Sequence, residues 1–247
     1  MAAITTWRES GVRWIRFERP DKLNALTVDE LREVADLLSG PAPEAVVFTG
    51  SGRAFSAGMH VDSFRDLDRD GARELIGAVR DFVGAARLAP CPTVAAVNGH
   101  CLGAAFELAL ACDVRIVAQH ADFGLPEIRV GIPSVVDAAL LQQHVGLGKA
   151  KEMILTGDRY PVSTLPALAN DIVPAEDLDA ATRRMLDRLT GHSRAAVAAQ
   201  KRLFEIWQNA PLAESIAASV DEFAEVFTDP DTARAVRARR AAVGRGE

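Results

Sequence analysis

A single acidic side chain, Glu107, interrupts an otherwise apolar stretch near the middle of the chain. The stretch opens with an apolar run over 93–97 that predicts a buried strand, and after Asn98-Gly99 small residues lead into an apolar helix. A carboxylate in apolar surroundings costs several kcal/mol unless it is paired, neutralised or used. The small residues place free backbone amides at the start of this helix. A catalytic acid is therefore as good an interpretation as a structural acid held by the helix N-terminus or by an ion pair.

The segment 54–59 is a second stretch that could carry chemistry, and it reads Ala54-Phe55-Ser56-Ala57-Gly58-Met59. Its small residues would let a ligand approach the backbone closely. It nearly matches the nucleophile elbow G-x-S-x-G, with Ser56 as the nucleophile of a hydrolase. However, Ala54 replaces the first glycine, and the downstream acids and histidines are not persuasively spaced. We therefore favour a ligand-facing loop or an ordinary tight turn over a serine hydrolase.

Two further features are weak on their own. Glu127 lies in a Leu-Pro-Glu-Ile loop, where a lone glutamate is usually solvated. A group of arginines near the C-terminus predicts a solvated helix face, with contact to a phosphorylated ligand as the alternative; these are Arg234, Arg237, Arg239, Arg240 and Arg245. The sequence contains no dinucleotide fingerprint, P-loop or metal-ligand cluster.

The composition narrows the class of protein. Of the 247 residues 49% are apolar and 25% charged, which is typical of a globular protein with an ample core. The net charge of −6 argues against affinity for nucleic acid or for an anionic membrane. The chain shows no signal-peptide pattern and no apolar run long enough for a membrane span. The chain has three cysteines, an odd number, and the spacing of Cys91, Cys101 and Cys112 is not that of metal ligands. We therefore expect reduced thiols and a cytoplasmic location.

Strand and helix patterns alternate up to about residue 155, which predicts a mixed α/β core. Residues 4–9 and 12–18 predict a hairpin, and Thr27 with Glu30 predicts a capping box for a helix to about residue 38. Ser134 with Asp137 is expected to cap a helix that runs through His144. Loops are predicted over 50–59 and 123–128, a short strand over 170–173, and helices over 176–190, 193–208, 212–227 and 231–243.

Five motifs occur in a definite order along the chain. They are RPDKLNALT at 19–27, AFSAG at 54–58, NGHCLGAAFELA at 98–109, CD at 112–113, and FGLPEI at 123–128 followed by GIP at 131–133. In this order they resemble the crotonase (enoyl-CoA hydratase/isomerase) superfamily over nearly the whole chain. The resemblance implies an α/β fold, a crotonase-like spiral of repeated ββα units followed by a helical C-terminal trimerisation region. Residues 1–190 would form the spiral core with the acyl-CoA site, and 191–247 the region that assembles a homotrimer or a dimer of trimers.

The resemblance also assigns residues to a site. The backbone N–H groups of Met59 and Ala104 would form an oxyanion hole for the thioester carbonyl of an acyl-CoA substrate. Glu107 would orient and activate water, and Glu127 would deliver a proton to C2. Residues expected to bind CoA or substrate are Lys22, Leu23, Ala57 and Gly103, although Lys22 could equally be solvated. No metal is expected, and no cofactor beyond the coenzyme A that the substrate carries.

Three departures from the family pattern bear on the reaction. His60 stands where the family usually has Asp, residues 134–139 replace a glycine-rich segment, and Arg239-Arg240 only loosely represents the usual lysine contact to CoA. Hydration needs two carboxyl groups on one water, whereas isomerisation needs one base that moves a proton between C2 and C4. The two glutamates therefore favour an enoyl-CoA hydratase. The alternatives are an enoyl-CoA isomerase, an acyl-CoA thioester hydrolase and a non-catalytic acyl-CoA-binding protein.

Overall fold

The computed structural model describes residues 3–243, apart from the side chains of residues 238, 239 and 241–243. The strands in this range are β1 Ile4–Glu9, β2 Val12–Phe17, β3 Ala45–Gly50, β4 Ala54–Ser56, β5 Thr93–Val97, β6 His100–Leu102, β7 Val114–Ala118, β8 Asp122–Gly124, β9 Arg159–Pro161 and β10 Asp171–Val173. The α-helices are α1 Val28–Ser39, α2 Arg69–Arg87, α3 Ala104–Ala111, α4 Leu141–Val145, α5 Leu147–Thr156, α6 Leu178–Leu189, α7 Arg194–Asn209, α8 Leu212–Val226 and α9 Pro230–Val243. None of these helices combines the length and the apolar character that a bilayer crossing requires.

A six-stranded sheet forms the main layer, in the order β1-β2-β3-β5-β7-β10. The predicted hairpin is confirmed, because β1 and β2 pair antiparallel with Glu9 opposite Val12. The other neighbours in this sheet are parallel. Parallel neighbours need crossover connections, and α1, α2 and α3 lie in those connections. The predicted capping box at the start of α1 is also confirmed, with Thr27 and Glu30 bonded reciprocally.

A smaller sheet, in the order β4-β6-β8-β9, corrects two of the predicted loops. The segments 50–59 and 123–128 both overlap three-residue strands, which are too short to show an alternating pattern in sequence. The units β3-β4-α2 and β5-β6-α3 each contribute one strand to each sheet and one helix. This repetition confirms the predicted spiral of ββα units.

The two faces of the large sheet are both buried, as parallel sheets require. Phe48 and Val97 belong to the core cluster that also contains the buried faces of α2 and α3. Val47 and Ala96 belong to a second cluster on the opposite face, which Leu178 and neighbouring residues of α6 cover. The helix α3, which carries Glu107, is buried along its whole length.

The segment after Pro133 differs from its predicted helix. Residues Val136–Leu140 form a 3₁₀ turn, and only Leu141–Val145 are α-helical. Ser134 does not cap a helix here. Val136 has a φ of 51°, a left-handed conformation that a β-branched residue rarely adopts, so a regular helix cannot start at this point.

The C-terminal helices follow the predicted pattern, and a partly buried ion pair fixes α7 to the core. Lys201 Nζ lies 2.7 Å from Asp113 Oδ2, which also accepts hydrogen bonds from the amide and hydroxyl of Thr93. The expected boundary between residues 190 and 191 falls between α6 and α7. That division into two regions stays a prediction.

The side chain of Asn24 connects the first motif to the loop before β4. Its amide nitrogen donates to the carbonyl oxygens of Ser51, Ala54 and Phe55, at 2.9, 2.8 and 3.2 Å. Its carbonyl oxygen accepts from the amide of Arg19 at 2.9 Å. Asn24 is 1% exposed and has a φ of 57°, a conformation that asparagine tolerates better than most residues. One buried amide group therefore determines the path of the chain from 51 to 55.

We expect Asn24→Ala to lower the free energy of unfolding by about 3 kcal/mol, because each buried polar group left unsatisfied costs about 1–3 kcal/mol. Urea denaturation followed by circular dichroism measures the change. Asn209→Ala is the matched control, since Asn209 is exposed and its amide makes one bond to the carbonyl of Glu205 within α7. Equal effects of the two substitutions would contradict this role for Asn24.

Candidate active site

The segment after β4 and the start of α3 approach each other backbone to backbone. Gly58 has a φ of 80°, and a Cβ atom on it would lie 2.7 Å from the carbonyl oxygen of Leu102 and 2.9 Å from the amide nitrogen of Ala104. Such distances exclude any side chain at position 58 without displacement of the backbone. Gly58 belongs to the loop predicted to face a ligand. The contact between the two loops by itself requires a glycine at this position.

The backbone amides of Met59 and Ala104 lie on these two adjoining segments. Ala104 is the first residue of α3, where an amide has no acceptor within the helix. Among the residues that the structure describes, neither amide donates a hydrogen bond to a backbone or side-chain acceptor. Met59 also forms an isolated parallel bridge with Leu26, so the first motif holds this segment in place. Two free donors thus border the same cavity.

Glu107 lies one turn into α3 and is only 3% exposed. Its Oε2 atom has no hydrogen-bond partner in the described part of the chain. Burial, followed by the nearby Glu127 and Asp137 carboxyl groups, raises the pKa of Glu107 well above its ordinary value. The helix N-terminus therefore does not hold this acid as a stabilised carboxylate, and no cation pairs with it among the described residues. An acid held by the helix N-terminus and an acid held by an ion pair are therefore both disfavoured as interpretations of Glu107.

Glu127 lies in the 3₁₀ turn Pro126–Val130, directly beside the start of α3. A Cβ atom on Gly103 would lie 2.8 Å from Glu127 Oε1, so Gly103 makes room for this carboxyl group. The hydroxyl of Ser134 donates to Oε2 at 2.8 Å. Burial raises the pKa of Glu127, and its own backbone amide and Ser134 offset part of the shift. Sequence reasoning assigned Ser134 to a helix cap and missed this contact.

These groups line one cavity of about 220 Å³. Its polar groups are the two glutamates, the two free amides and Arg129, which is paired with Asp158, and most of the remaining lining is aliphatic or aromatic. The expected residues that line it are Ala57, Met59, Gly103, Ala104, Glu107 and Glu127. Sequence reasoning missed the apolar part, which includes Phe64, Leu75, Ile76, Val79, Ile132 and Val135. The helical spacing of the three residues from α2 marked a buried face but gave no sign that it borders a site.

Two expected binding residues lie outside the cavity lining. Leu23 contacts the site through its backbone, since its carbonyl accepts from the amide of Ala57 at 2.8 Å. Lys22 is exposed. Of the arginine pair, Arg240 is exposed, and the side chain of Arg239 lies outside the described residues, as does Arg245. The binding roles of these residues stay predictions.

The alternative nucleophile Ser56 is occupied by backbone contacts. Its hydroxyl donates to the carbonyl of Asn24 at 2.8 Å and accepts from the amide of Gly58 at 3.1 Å, and the residue is fully buried. His60 is likewise used locally, since its Nδ1 accepts from the amide of Asp62 at 3.3 Å and caps a 3₁₀ turn. Both contacts support the interpretation of 54–60 as a shaped loop and not as a nucleophile elbow.

Comparison with known proteins agrees with the motifs. The family model for enoyl-CoA hydratase/isomerase matches residues 7–240. The crotonyl-CoA hydratase of Syntrophomonas wolfei is 30% identical over 232 residues, which cover 91% of this chain and 89% of that protein. The short-chain-enoyl-CoA hydratase of Clostridium acetobutylicum is 27% identical, over 94% of this chain and 92% of that protein.

Solved structures agree with the fold. The crystal structure of an enoyl-CoA hydratase from Mycobacterium smegmatis superposes with a TM-score of 0.91 at 27% identity, over 98% of this chain and 97% of that one. An enoyl-CoA hydratase from Bacillus anthracis gives a TM-score of 0.89 at 25% identity, with 98% and 97% covered. With the family model matched along nearly the whole sequence, the chain belongs to the enoyl-CoA hydratase/isomerase family.

Proposed function

We propose that this protein is an enoyl-CoA hydratase that adds water across the C2=C3 bond of a 2-enoyl-CoA thioester. One observation carries the proposal: a buried and a half-buried carboxyl group, both with raised pKa values, share a cavity with two backbone amides that have no acceptor among the described residues. The hydratase names of the relatives support the same substrate class. No cofactor is needed in this reaction, since coenzyme A enters as part of the substrate.

The amides of Met59 and Ala104 would bind the thioester oxygen. Negative charge develops on that oxygen as an enolate forms, and preorganised donors stabilise it without reorganisation during the reaction. Ala104 adds the partial positive charge of the α3 N-terminus. Each such donor typically lowers the activation free energy by about 2.7–4 kcal/mol.

The two glutamates would divide the proton transfers between them. Glu107, as the carboxylate, takes a proton from water while the water oxygen bonds to C3. Glu127, as the acid, gives its proton to C2, so one water is added in total. Burial raises the pKa of both groups, so the pair holds one shared proton closer to neutral pH. The reactive form in this proposal is the one in which that proton lies on Glu127 and Glu107 is the carboxylate. The Ser134 hydroxyl stabilises the carboxylate that Glu127 becomes, and the proton on Glu107 returns to Glu127 before the next cycle.

The thioester and CoA would enter along the segment that holds Leu23, Ala57 and Gly103. Ala57 and Gly103 border the two glutamates, and Leu23 is tied to Ala57. Exposed Lys22 and the Arg239-Arg240 pair supply positive charge for the phosphates of CoA in this proposal. The three free cysteines are consistent with the proposed cytoplasmic location, where thiols stay reduced.

A homo-oligomer, as a trimer or a dimer of trimers, is part of the same proposal. One face of α8, continued by the residue that follows it, is apolar but exposed, with side chains at helical spacing: Leu212, Ile216, Val220, Phe223 and Phe227. Contiguous exposed apolar surface of this kind marks an interaction site. A second copy of this chain is the partner that the family resemblance implies.

We expect Glu107→Gln and Glu127→Gln each to lower kcat for crotonyl-CoA hydration by about 10²–10⁴-fold, the contribution of a positioned acid or base. The assay follows loss of the enoyl absorbance and a mass gain of one water. Glu33→Gln is the control, because Glu33 is exposed on α1 and outside the cavity.

Other products would change the proposal. Free CoA would indicate a thioester hydrolase. Conversion of a 3-enoyl-CoA to its 2-isomer without hydration would indicate an isomerase. Binding of acyl-CoA without turnover would indicate a binding protein.

We expect Gly103→Ala to reduce kcat by about 10²-fold. Its Cβ would crowd the Glu127 carboxyl group, the φ of 55° strains any non-glycine residue at this position, and a misplacement of about 1 Å has this effect. Gly84→Ala in α2 is the control, since its Cβ would meet nothing within 4 Å. That change should leave kcat unaltered and raise the melting temperature slightly. Full activity of Gly103→Ala would contradict the catalytic placement of Glu127.

We expect the double variant Ile216→Glu/Phe223→Glu to be a monomer, since charges on the apolar face of α8 would be buried unpaired in an interface. Light scattering coupled to gel filtration measures the mass. Glu214→Lys/Glu225→Lys changes charges on the opposite side of the same helix and should leave the oligomer intact. A monomeric wild type would contradict the proposed assembly.

A further inference from the structure

The apolar lining of the cavity extends from the core to the protein surface. Leu75 and Val79, from one face of α2, are almost fully buried and belong to the main core cluster. The same lining contains apolar side chains that face solvent, of which Val61 is 72% and Val130 67% exposed. Four exposed residues of this kind form what we call the apolar rim: Val61, Val130, Pro133 and Val135. The cavity is therefore open along an apolar edge.

Two chain segments connect the reacting groups to the apolar rim. The first leads from Met59, which is buried and whose amide borders the cavity, to Val61 only two positions later. The second leads from the half-buried Glu127 through Val130 to Val135. Both segments reach the surface after they leave the free amides and the two carboxyl groups. An acyl group whose thioester oxygen lies on those amides would therefore meet the rim with its distal carbons.

Arg129 is the cation in the part of the lining that the structure describes, and its charge is engaged outside the cavity. Its Nε donates to the carbonyl of Thr156 at 3.2 Å, and its guanidinium group pairs with Asp158. Neither of these partners lines the cavity. A Cβ atom on Gly157 would lie 3.0 Å from Arg129 Cγ, so the stem of Arg129 packs against the end of α5. The apolar rim thus offers hydrophobic contact and no unengaged cation.

A hydrocarbon chain on the apolar rim would remove apolar surface of both partners from water. Exposed apolar residues scattered singly are ordinary on a protein surface, whereas a contiguous group marks an interaction site or a ligand groove. Each methylene that becomes fully buried strengthens binding about fourfold. The rim is continuous with the lining of the cavity that holds the two glutamates. This continuity favours the acyl chain of the substrate as the occupant over a second protein chain.

We propose that the apolar rim binds the distal part of the acyl chain, so that medium-chain 2-enoyl-CoA thioesters such as 2-octenoyl-CoA are preferred to crotonyl-CoA. The inference rests on the acyl-CoA site of the proposed function. It adds the class of acyl chain, which neither the two glutamates nor the free amides determine, because those groups act on the thioester and on C2 and C3.

The first measurement compares crotonyl-CoA with 2-octenoyl-CoA in the wild type. We expect kcat/KM for hydration to be at least about tenfold higher for the longer chain, because each additional methylene is half-buried on the rim and gains about twofold. The Kd of saturated octanoyl-CoA, measured by isothermal titration calorimetry, should be lower than that of butyryl-CoA by a similar factor. Saturated chains are not hydrated, so this second measurement does not depend on turnover.

The second measurement places a charge on the apolar rim. Val61→Asp and Val130→Asp should each lower the ratio of kcat/KM for 2-octenoyl-CoA to that for crotonyl-CoA by at least about tenfold, because the longer chain would desolvate the new carboxylate. Val61→Leu keeps the rim apolar and should keep the ratio. Leu147→Asp is the control, since Leu147 is exposed at the first position of α5 and does not line the cavity. The ratio cancels any disturbance of the reacting groups, which both substrates share.

A wild type whose kcat/KM and affinity do not increase with chain length would overturn the inference, and this is also the result expected if a second copy of the chain covers the rim. An equal loss for both substrates in the two aspartate variants would overturn it as well, since the rim would then lie on the path of CoA. If circular dichroism shows that either variant is unfolded, the other variant and the wild-type chain-length series decide the question.

The same data separate this inference from the proposed function. Hydration of crotonyl-CoA without a preference for longer chains contradicts only the inference. If no enoyl-CoA is hydrated, but affinity for saturated acyl-CoA rises with chain length and falls in the aspartate variants, the proposed function is wrong and the rim still binds the acyl chain. A wild type that neither hydrates nor binds acyl-CoA contradicts both.

Discussion

The site depends on a contact between two backbones that only glycine permits. Gly58 lies so close to Leu102 and Ala104 that even a methyl group would clash with main-chain atoms. Because the two segments touch here, the free amides of Met59 and Ala104 can border one cavity. The Asn24 side chain and the bridge from Leu26 to Met59 then keep the first of these segments in its path. The first three sequence motifs thus serve one structural purpose.

Burial of the two carboxyl groups reduces stability in return for reactivity. The pKa of Glu107 is higher in the folded protein than in the unfolded chain, so above the ordinary carboxyl pKa the folded state retains a proton that the unfolded chain has released. The free energy of unfolding therefore falls as pH rises from the ordinary carboxyl pKa towards the raised one. Glu127 contributes with the same sign. A fold selected only for stability would place aliphatic residues at both positions.

The sequence allowed prediction of features that depend on local interactions or on a sharp chemical anomaly. The capping box at Thr27 and Glu30 is a local pattern, and the hairpin around Gly11 is set by neighbouring residues. Glu107 was conspicuous because its surroundings are apolar. The ββα spiral and the site residues came from the family resemblance, since the three-residue strands of the small sheet carry no periodic signal.

Contacts between distant segments could not be predicted from the residues alone. Ser134 and Asp137 looked like a helix cap, because Ser followed three places later by an acid is typical of a helix start. The left-handed conformation of Val136 prevents that helix. It turns Ser134 towards Glu127 and Asp137 towards Arg87, which lies fifty positions earlier in the chain. Tertiary packing decided both outcomes.

The apolar remainder of the cavity connects substrate binding to the acid–base chemistry. Its aliphatic lining offers no hydrogen bonds, so an acyl chain that fills it displaces water without loss of polar contacts. With the thioester oxygen on the two free amides, the two glutamates are left to hold the water that hydration needs. Exclusion of other water also lowers the local polarity and raises the carboxyl pKa values further. In the proposed function, the residues that would contact a hydrocarbon chain therefore also help to set the proton affinity of Glu107 and Glu127.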